Sequence, residues 1–212
     1  MKNIPEPVAD TKQFNAASVY SRRNRNNKRD LQYFRNKETA TEAIQSLNQE
    51  TEIFGFTKGQ FSLIELLAAI LEKSGPAKVA ISTWTAANYD VTKVLEFIEQ
   101  GSITSSRWLV DLTFQRRAPQ LAARIRQIFG QDSIRVAQTH AKFLIIQNDS
   151  WNLVVRTSMN LNTNPRFEDF TIGNDAELAG FLNAILDELW QRQSKHDAFY
   201  TTKELQRKWR EF

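Results

Sequence analysis

His140 and Lys142 are the residues around which this sequence could build a reactive site. They stand two positions apart in Thr139–Gln147, an apolar and β-branched run that predicts a strand, so both side chains project from one face. An imidazole changes its protonation near neutral pH and can act as a nucleophile or move a proton. The ammonium group beside it adds a positive charge. The pair therefore suits chemistry on an anionic substrate.

A second polar pair follows the next predicted strand, Asn152–Thr157, which comes after a short polar turn. If the two strands form a hairpin in which paired residue numbers sum to about 299, Lys142 lies opposite Thr157. Ser158 and Asn160 then come close to the first pair and could share its face. We therefore expect an imidazole, an ammonium, a hydroxyl and a carboxamide around one spot at the end of the sheet.

Such a cluster suits a phosphodiester. Lys142, Ser158 and Asn160 could donate hydrogen bonds and charge to the non-bridging oxygens as phosphorus becomes pentavalent. His140 could attack phosphorus or transfer a proton, and Glu168, on a later predicted strand, could hold the second imidazole nitrogen and fix its tautomer. None of these roles needs a metal or a cofactor, and we predict neither. The chain has no Cys and two His, which excludes zinc fingers, iron–sulfur clusters and thiol nucleophiles.

The elements that must position these residues alternate along the chain. Apolar runs of strand type are separated by helical segments of 10–15 residues, which predicts an α/β fold with a mixed β-sheet flanked by helices on both faces. Besides the hairpin, we predict strands at 78–83, 107–114, 133–137 and 167–172, and helices at 39–48, 61–73, 91–100, 119–129 and 175–193. No run reaches the roughly 20 apolar residues that a membrane helix needs.

The residues around the reactive pair resemble the signature of the phospholipase D superfamily, which is HxKxxxxD followed by GSxN. His140-x-Lys142, the apolar run 143–146 and Thr157–Asn162 carry this resemblance. The order of elements over about residues 60–190 is similar to one copy of that fold. Gln147 stands where the family has Asp, Thr157 stands in place of the Gly, and the two halves are three residues further apart than usual.

The resemblance implies a phosphohistidine mechanism in which one histidine attacks phosphorus and a second protonates the leaving group, without metal. This chain has one such motif, and His196 lies outside it. Single-motif members of the family, such as the bacterial Nuc-type endonucleases, form homodimers that bring two histidines together. The implied active form is therefore a homodimer that uses both copies of His140. Glu168 matches the acidic residue that commonly follows in the family, with Asp169 as a rival.

Charge is concentrated at the two ends of the chain. Residues 1–37 carry a net charge of +6 and residues 191–212 a net charge of +3, while residues 38–190 carry −5. We predict a basic N-terminal arm over 1–37, a phospholipase D-like catalytic domain over 38–193 and a basic C-terminal extension over 194–212. An arm so rich in Asn and Arg cannot supply a core, so disorder or an exposed basic helix is expected.

Several weaker candidates for substrate contact lie around this scheme. Tyr33 and Phe34 follow the basic run and could stack on bases, as could Tyr20, while Trp84 could line the cleft. Six arginines could bind neighbouring phosphates: Arg156, Arg166, Arg116, Arg22, Arg23 and Arg25.

These observations predict a metal-independent nuclease that acts as a homodimer in the cytoplasm, with nucleic acid as its partner, DNA favoured over RNA, and no membrane. The absence of Cys fits a reducing compartment. Two alternatives stay open. One is a catalytically degenerate module that binds nucleic acid, which Gln147 and Thr157 favour. The other is a phosphodiesterase for a phospholipid or a small nucleotide.

Overall fold

The protein is built on one eight-stranded sheet. The structure is a computed structural model that describes residues 28–163 and 165–193, without the side chains of residues 115 and 116. The strands are β1 (Lys28–Tyr33), β2 (Thr51–Thr57), β3 (Ala77–Thr83), β4 (Ile103–Asp111), β5 (Ile134–Ala137), β6 (Phe143–Gln147), β7 (Asn152–Thr157) and β8 (Glu168–Asn174). Their order across the sheet is β1-β2-β8-β7-β6-β3-β4-β5.

Strand direction brings many chain ends to one edge of this sheet. Strands β3, β4 and β5 are mutually parallel, and β6 runs antiparallel to β3. Strands β7 and β8 continue the antiparallel pattern, and β2 pairs antiparallel with β8. The carboxyl ends of β2, β3, β4, β5 and β7 therefore meet the amino ends of β6 and β8. We call this edge the site edge.

Helices cover both faces of the sheet, as predicted. They are α1 (Ala40–Ala43), α2 (Leu63–Ser74), α3 (Asn88–Glu99), α4 (Phe114–Arg117), α5 (Pro119–Phe129) and α6 (Ala176–Arg192), with a 3₁₀ turn at Gln131–Ser133. The larger core packs α1, α2, α3 and α5 on one face, and α6 is the one described helix that packs on the other. Helix α6 covers the part of its face formed by β3 to β7, and leaves β1 and β2 open.

Local signals explain the helices that were predicted well. Ser62 caps α2: its hydroxyl accepts from the Glu65 amide, while the Glu65 carboxylate accepts from the Ser62 amide at 2.7 Å. Helix α5 begins with Pro119 in its first turn, where a missing N–H costs nothing, and ends before Gly130, as predicted. No helix within 28–163 and 165–193 has the length and apolar character to cross a bilayer.

Four predictions about the elements are wrong, and one strand was not predicted. The boundary of the arm at residue 37 is too late, because residues 28–33 form the edge strand β1, and strand β2 was not predicted at all. The strand predicted over 107–114 ends at Asp111, and the chain turns into α4. The helix predicted over 39–48 is a single turn, and the strand predicted from Thr139 begins at Phe143.

A buried carboxylate in α3 makes stability depend on pH. Asp90 is 1% exposed, and its Oδ1 has no hydrogen-bond partner. Burial raises the pKa of Asp90 from 3.8 to about 6, and the nearby Glu65 carboxylate adds to the rise. The folded state therefore prefers the protonated form, so the free energy of unfolding falls as pH rises from about 4 to about 6.

We expect Asp90→Asn to remove this fall and to raise the free energy of unfolding at pH 8 by about 2 kcal/mol. Urea denaturation at about pH 5 and about pH 8 measures the effect. Asp149→Asn, a change at an exposed turn residue, is the matched control and should leave the pH profile intact. A wild-type protein that is equally stable at both pH values would contradict this account.

Candidate active site

The loop that carries His140 connects β5 to β6 at the site edge and is held on both sides of the histidine. The Thr139 amide donates to the buried Asp111 carboxylate at the end of β4, at 3.2 Å. The Ser82 hydroxyl, at the end of β3, donates to the Ala141 carbonyl at 2.8 Å. The Ala141 amide donates to the Thr139 hydroxyl at 3.0 Å. The first two bonds tie the backbone on either side of His140 to the ends of two strands, and the third closes a turn within the loop.

The His140 side chain is exposed and lies against an aromatic ring. Its ring centroid is 5.5 Å from that of Trp84, which follows β3. On the same indole, the Arg117 guanidinium carbon lies 3.8 Å from the ring centroid. Arg117 also donates to the Trp84 carbonyl at 2.9 Å and to the Thr113 hydroxyl at 3.0 Å. Trp84 therefore contacts both the imidazole and a guanidinium, which places a second cation near the histidine.

The Lys142 side chain contacts the backbone of His140. The Lys142 ammonium donates to the His140 carbonyl at 3.3 Å, and its side chain is half-buried. The Lys142 carbonyl accepts from the Thr157 amide at 3.1 Å, one step beyond the last ladder pair, Phe143 with Arg156. This pairing confirms the predicted hairpin register.

Ser158 is bonded to the start of β8. Its hydroxyl donates to the Glu168 carboxylate and accepts from the Asp169 amide at 3.0 Å. The Ser158 amide in turn donates to the Asp169 carbonyl at 3.1 Å. Ser158 and Glu168 therefore form one hydrogen-bonded unit. The predicted contact of Glu168 with His140 stays a prediction.

Asn160 lies near Glu168. It lines a small cavity with Glu168, Thr57 and Ser62, at the amino end of α2. The Asn160 Oδ1 is buried and has no hydrogen-bond partner. Three of the predicted residues, Ser158, Asn160 and Glu168, are thus brought together at the ends of β2, β7 and β8.

A groove of about 870 Å³ opens at this edge, between α6 and the face of the sheet on which α6 packs. Lys142, Ser158 and Arg156 line its polar end, and apolar side chains of α6 line the opposite wall. Lys142 and Ser158 therefore border one space. The groove continues along the sheet to Leu31 and Phe54, on the strands that α6 leaves open.

No protein-family model matches this sequence, and no curated protein sequence matches it. Solved structures do match. A polyphosphate kinase from Porphyromonas gingivalis is 14% identical with a TM-score of 0.50, over 73% of this chain and 27% of the kinase. Phosphatidylserine synthase from Haemophilus influenzae is 13% identical with a TM-score of 0.47, over 73% and 40%. Nuc, a phospholipase D family member from Salmonella typhimurium, is 14% identical with a TM-score of 0.44, over 66% and 93%.

Of these proteins, Nuc is the one named as a phospholipase D family member. The fold is phospholipase D-like. At identities this low the likeness establishes the fold alone, and this chain spans only about a quarter of the polyphosphate kinase it matches.

Gln147 stands where the phospholipase D signature has Asp, and it has a structural role. Its amide donates to the Asn152 Oδ1 and accepts from the Asn183 amide, both at 2.7 Å. Asn183 also accepts from Arg107 at 2.7 Å. This chain of amides ties the hairpin to α6 at the end of β6 remote from His140. Gln147 therefore holds the sheet to the helix and does not lie at the site edge.

Thr157 stands where the signature has Gly. Its hydroxyl donates to the Asp169 carbonyl at 2.6 Å and accepts from the Met159 amide at 3.0 Å. Met159 is buried in the larger core. The hydroxyl of Thr157 therefore fixes the turn from β7 into Ser158 and Asn160.

The predicted arginines have different fates. Arg156 and Arg166 are exposed, and Arg156 lines the groove. Arg116 lies in α4 beside Arg117. The other three, Arg22, Arg23 and Arg25, lie outside the described residues, as does Tyr20. Phe34 is buried in the core and cannot stack on a base, whereas Tyr33 is exposed.

Sequence reasoning missed one residue of the site edge, Asp111, and predicted Arg117 only as a weaker candidate for the substrate rim, together with Gln115 and Arg116. Arg117 follows a predicted strand end, which is the one signal that pointed to it, but its contact with Trp84 depends on α4 folding back. Asp111 was read as an ordinary strand residue. Its carboxylate accepts from the amide of Thr113 at 2.9 Å as well as from the Thr139 amide, and so joins two loops.

Proposed function

We propose that this chain is a metal-independent phosphodiesterase that hydrolyses the nucleic-acid backbone through a phosphohistidine at His140. One observation carries the proposal. The loop that holds His140 is fixed at the edge where Lys142 and Ser158 border the same groove, next to the Glu168 carboxylate. In this proposal His140 supplies the nucleophile, Lys142 the cation for the phosphate and Glu168 the carboxylate.

In the first step, one imidazole nitrogen of His140 forms a bond to phosphorus, and the bond from phosphorus to the leaving oxygen breaks. A second imidazolium gives its proton to that oxygen. In the second step, the now neutral imidazole takes a proton from water, the water oxygen bonds to phosphorus and the phosphorus–nitrogen bond breaks. His140 returns to its starting form, and one water is consumed.

The neighbouring groups take separate roles. The Lys142 ammonium stabilises the charge on the non-bridging oxygens as it grows in the transition state. The Glu168 carboxylate accepts a hydrogen bond from the N–H of the phosphorylated ring and stabilises the positive charge of that ring. Because the Ser158 hydroxyl already donates to Glu168, Ser158 acts as a positioning residue for that carboxylate. Asn160 offers its amide beside them.

The second imidazole comes from a second copy of the chain. The signature occurs once, and the His140 side chain is exposed at the site edge, where a two-fold axis can bring two such groups together. A cytoplasmic homodimer of about 49 kDa, twice 24.5 kDa, is therefore the proposed active form.

Nucleic acid fits the charge distribution better than lipid does. The two ends of the chain carry net charges of +6 and +3, Arg156 lines the groove, and both Arg156 and Arg166 are exposed. Each cation that neutralises a phosphate releases a counterion, so binding should weaken steeply with salt. DNA is the first substrate to test, and RNA the second.

A second candidate function is a binding module without catalysis. The observation that favours it is that Gln147 replaces the Asp of the signature, and its amide is hydrogen-bonded in a network that holds α6. In this case Lys142 and the exposed arginines would hold phosphates, and no bond would break.

Cleavage assays with EDTA distinguish the candidates. Labelled single- and double-stranded DNA and RNA, and phosphatidylcholine vesicles, are incubated with the full chain, and sedimentation measures its mass. We expect nucleic-acid cleavage that persists in EDTA and a mass of about 49 kDa. Cleavage that needs a divalent ion, or a strictly monomeric active protein, would contradict the mechanism. Binding without cleavage would favour the module, and cleavage of lipid alone would overturn the substrate.

A further inference from the structure

Large apolar side chains are exposed on one part of the sheet. Of the six large hydrophobic residues that are exposed in the described part of the chain, five lie on or next to β1, β2 and β8. They are Leu31, Tyr33, Phe54, Phe56 and Phe167. Phe167 is 59% exposed, and the sixth residue, Tyr89, lies on α3. Monomeric proteins rarely leave such a cluster uncovered unless it binds something.

Three of these rings contact one another and form what we call the aromatic platform: Tyr33, Phe56 and Phe167. Tyr33 and Phe56 are cross-strand partners with ring centroids 5.9 Å apart. Phe56 and Phe167 are stacked with centroids 5.4 Å apart and an interplanar angle of 28°. The platform is therefore an ordered surface of aromatic rings.

Two cations lie over the platform. The Arg35 guanidinium carbon is 4.8 Å from the Tyr33 ring centroid, and the Lys58 ammonium is 5.6 Å from that centroid and 5.2 Å from that of Phe167. Among the residues that the structure describes, no carboxylate pairs with either cation. On the same face, Glu52 pairs with Arg29 at 2.8 Å. Within the described residues, the platform therefore joins ring faces to positive charge that is not paired with a carboxylate.

The platform adjoins the candidate active site. Phe167 immediately precedes Glu168, and Phe56 pairs in register with Asp169, whose amide donates to Ser158. Leu31 and Phe54, next to the platform, line the same groove as Lys142. A chain molecule bound on the platform would therefore lead directly to Lys142.

We propose that the aromatic platform binds unpaired bases of single-stranded nucleic acid and so makes the enzyme act on single strands. Bases stack on aromatic rings without regard to sequence, while cations bind the phosphates between them. A duplex hides the faces of its bases and could not use the rings. The inference rests on the proposed function for the position of the scissile phosphate, but the platform can be tested through binding alone.

The test measures fluorescence anisotropy of labelled oligonucleotides of about 12 nucleotides, single- or double-stranded, with the full chain carrying His140→Ala to prevent cleavage. We expect tighter binding of the single strand, and a loss of about 5- to 150-fold when Phe167→Ala is added. Phe167→Trp should retain the affinity. Tyr89→Ala is the matched control, because Tyr89 is 62% exposed but remote from the platform, and it should change nothing.

Lys58→Gln gives a second, independent readout. It should lower the slope of the logarithm of affinity against the logarithm of salt concentration by about one, since one phosphate contact is lost. Thermal melting of each variant shows that the fold is intact.

The outcomes separate the platform from the proposed function. If binding depends on Phe167 but the wild-type protein never cleaves nucleic acid, the platform is supported and the nuclease function is overturned. Cleavage with unchanged affinity in Phe167→Ala would overturn the platform alone. Equal affinity for duplex and single strand would also overturn the platform. A Phe167→Ala variant that loses dimerisation but keeps its affinity for nucleic acid would overturn it too, and would show that this face is a contact between two copies of the chain.

Discussion

His140→Ala should lower the rate of phosphodiester cleavage by at least about 10⁴-fold, because removal of a covalent nucleophile abolishes both chemical steps. Binding of the nucleic acid should persist, since Lys142, Arg156 and the platform keep their places. The variant should also fold normally. The His140 side chain is exposed, and the loop is held by bonds from Thr139 and Ala141 that do not involve the imidazole.

The matched control is His196→Ala, which removes the only other histidine and should leave cleavage unchanged. Single-turnover cleavage in EDTA measures both variants. A further readout is an acid-labile phosphate on the wild-type protein after rapid quenching, absent from His140→Ala. Residual activity within about tenfold of wild type in His140→Ala would exclude the phosphohistidine step, because no other imidazole of the signature could replace it.

The hairpin was the part of the site most accessible from the sequence. Apolar residues run along both strands, and a polar turn joins them, so one pairing alone keeps both apolar runs in the sheet. The ladder pairs Phe143 with Arg156 and Gln147 with Asn152, as the predicted sum requires. Because register follows from local pattern, the neighbourhood of Lys142 and Thr157 could be predicted without a structure.

Strands β1 and β2 show why other parts could not. Residues 28–33 contain two basic residues next to an Asn- and Arg-rich run, so their composition did not indicate a strand. They form a strand at the edge of the sheet, where polar side chains stay exposed. In β2, Gly55 weakened the strand pattern. A Cβ at Gly55 would lie 2.3 Å from the Phe170 ring, so the glycine is required by contact with a strand more than a hundred residues away. No local pattern reports such a contact.

Contacts between loops were equally hidden. Trp84, Arg117 and His140 come from the segments that follow β3, β4 and β5, and they meet because these three parallel strands end at the same edge. The sequence indicated where each strand ends but not which way α4 turns afterwards. Residue types and strand ends therefore predict the members of such a site, while their contacts depend on packing between distant segments.

Lys142→Ala should lower kcat/KM for cleavage by about 10²- to 10³-fold, the usual loss when one donor to a developing oxyanion is removed. The Lys142 ammonium donates to the His140 carbonyl and lines the groove, and in the proposed mechanism it binds the phosphate that His140 attacks. The positive charge of Lys142 stabilises the transition state more than the ground state, because negative charge on the non-bridging oxygens grows as the reaction proceeds. We therefore expect most of the loss in kcat rather than in KM.

Lys142→Arg should recover part of the rate, because it restores the charge but not the compact geometry of an ammonium. Lys78→Gln is the control for a general loss of positive charge, since Lys78 is exposed on β3 opposite Gln147, at the end of the sheet remote from the site edge. It should change kcat by less than about twofold, as surface substitutions away from a site have small effects. A Lys142→Ala variant with unchanged kcat and a higher KM would mean that the ammonium only binds substrate. The site edge would then act as a phosphate-binding surface, and the module without catalysis would become the better account.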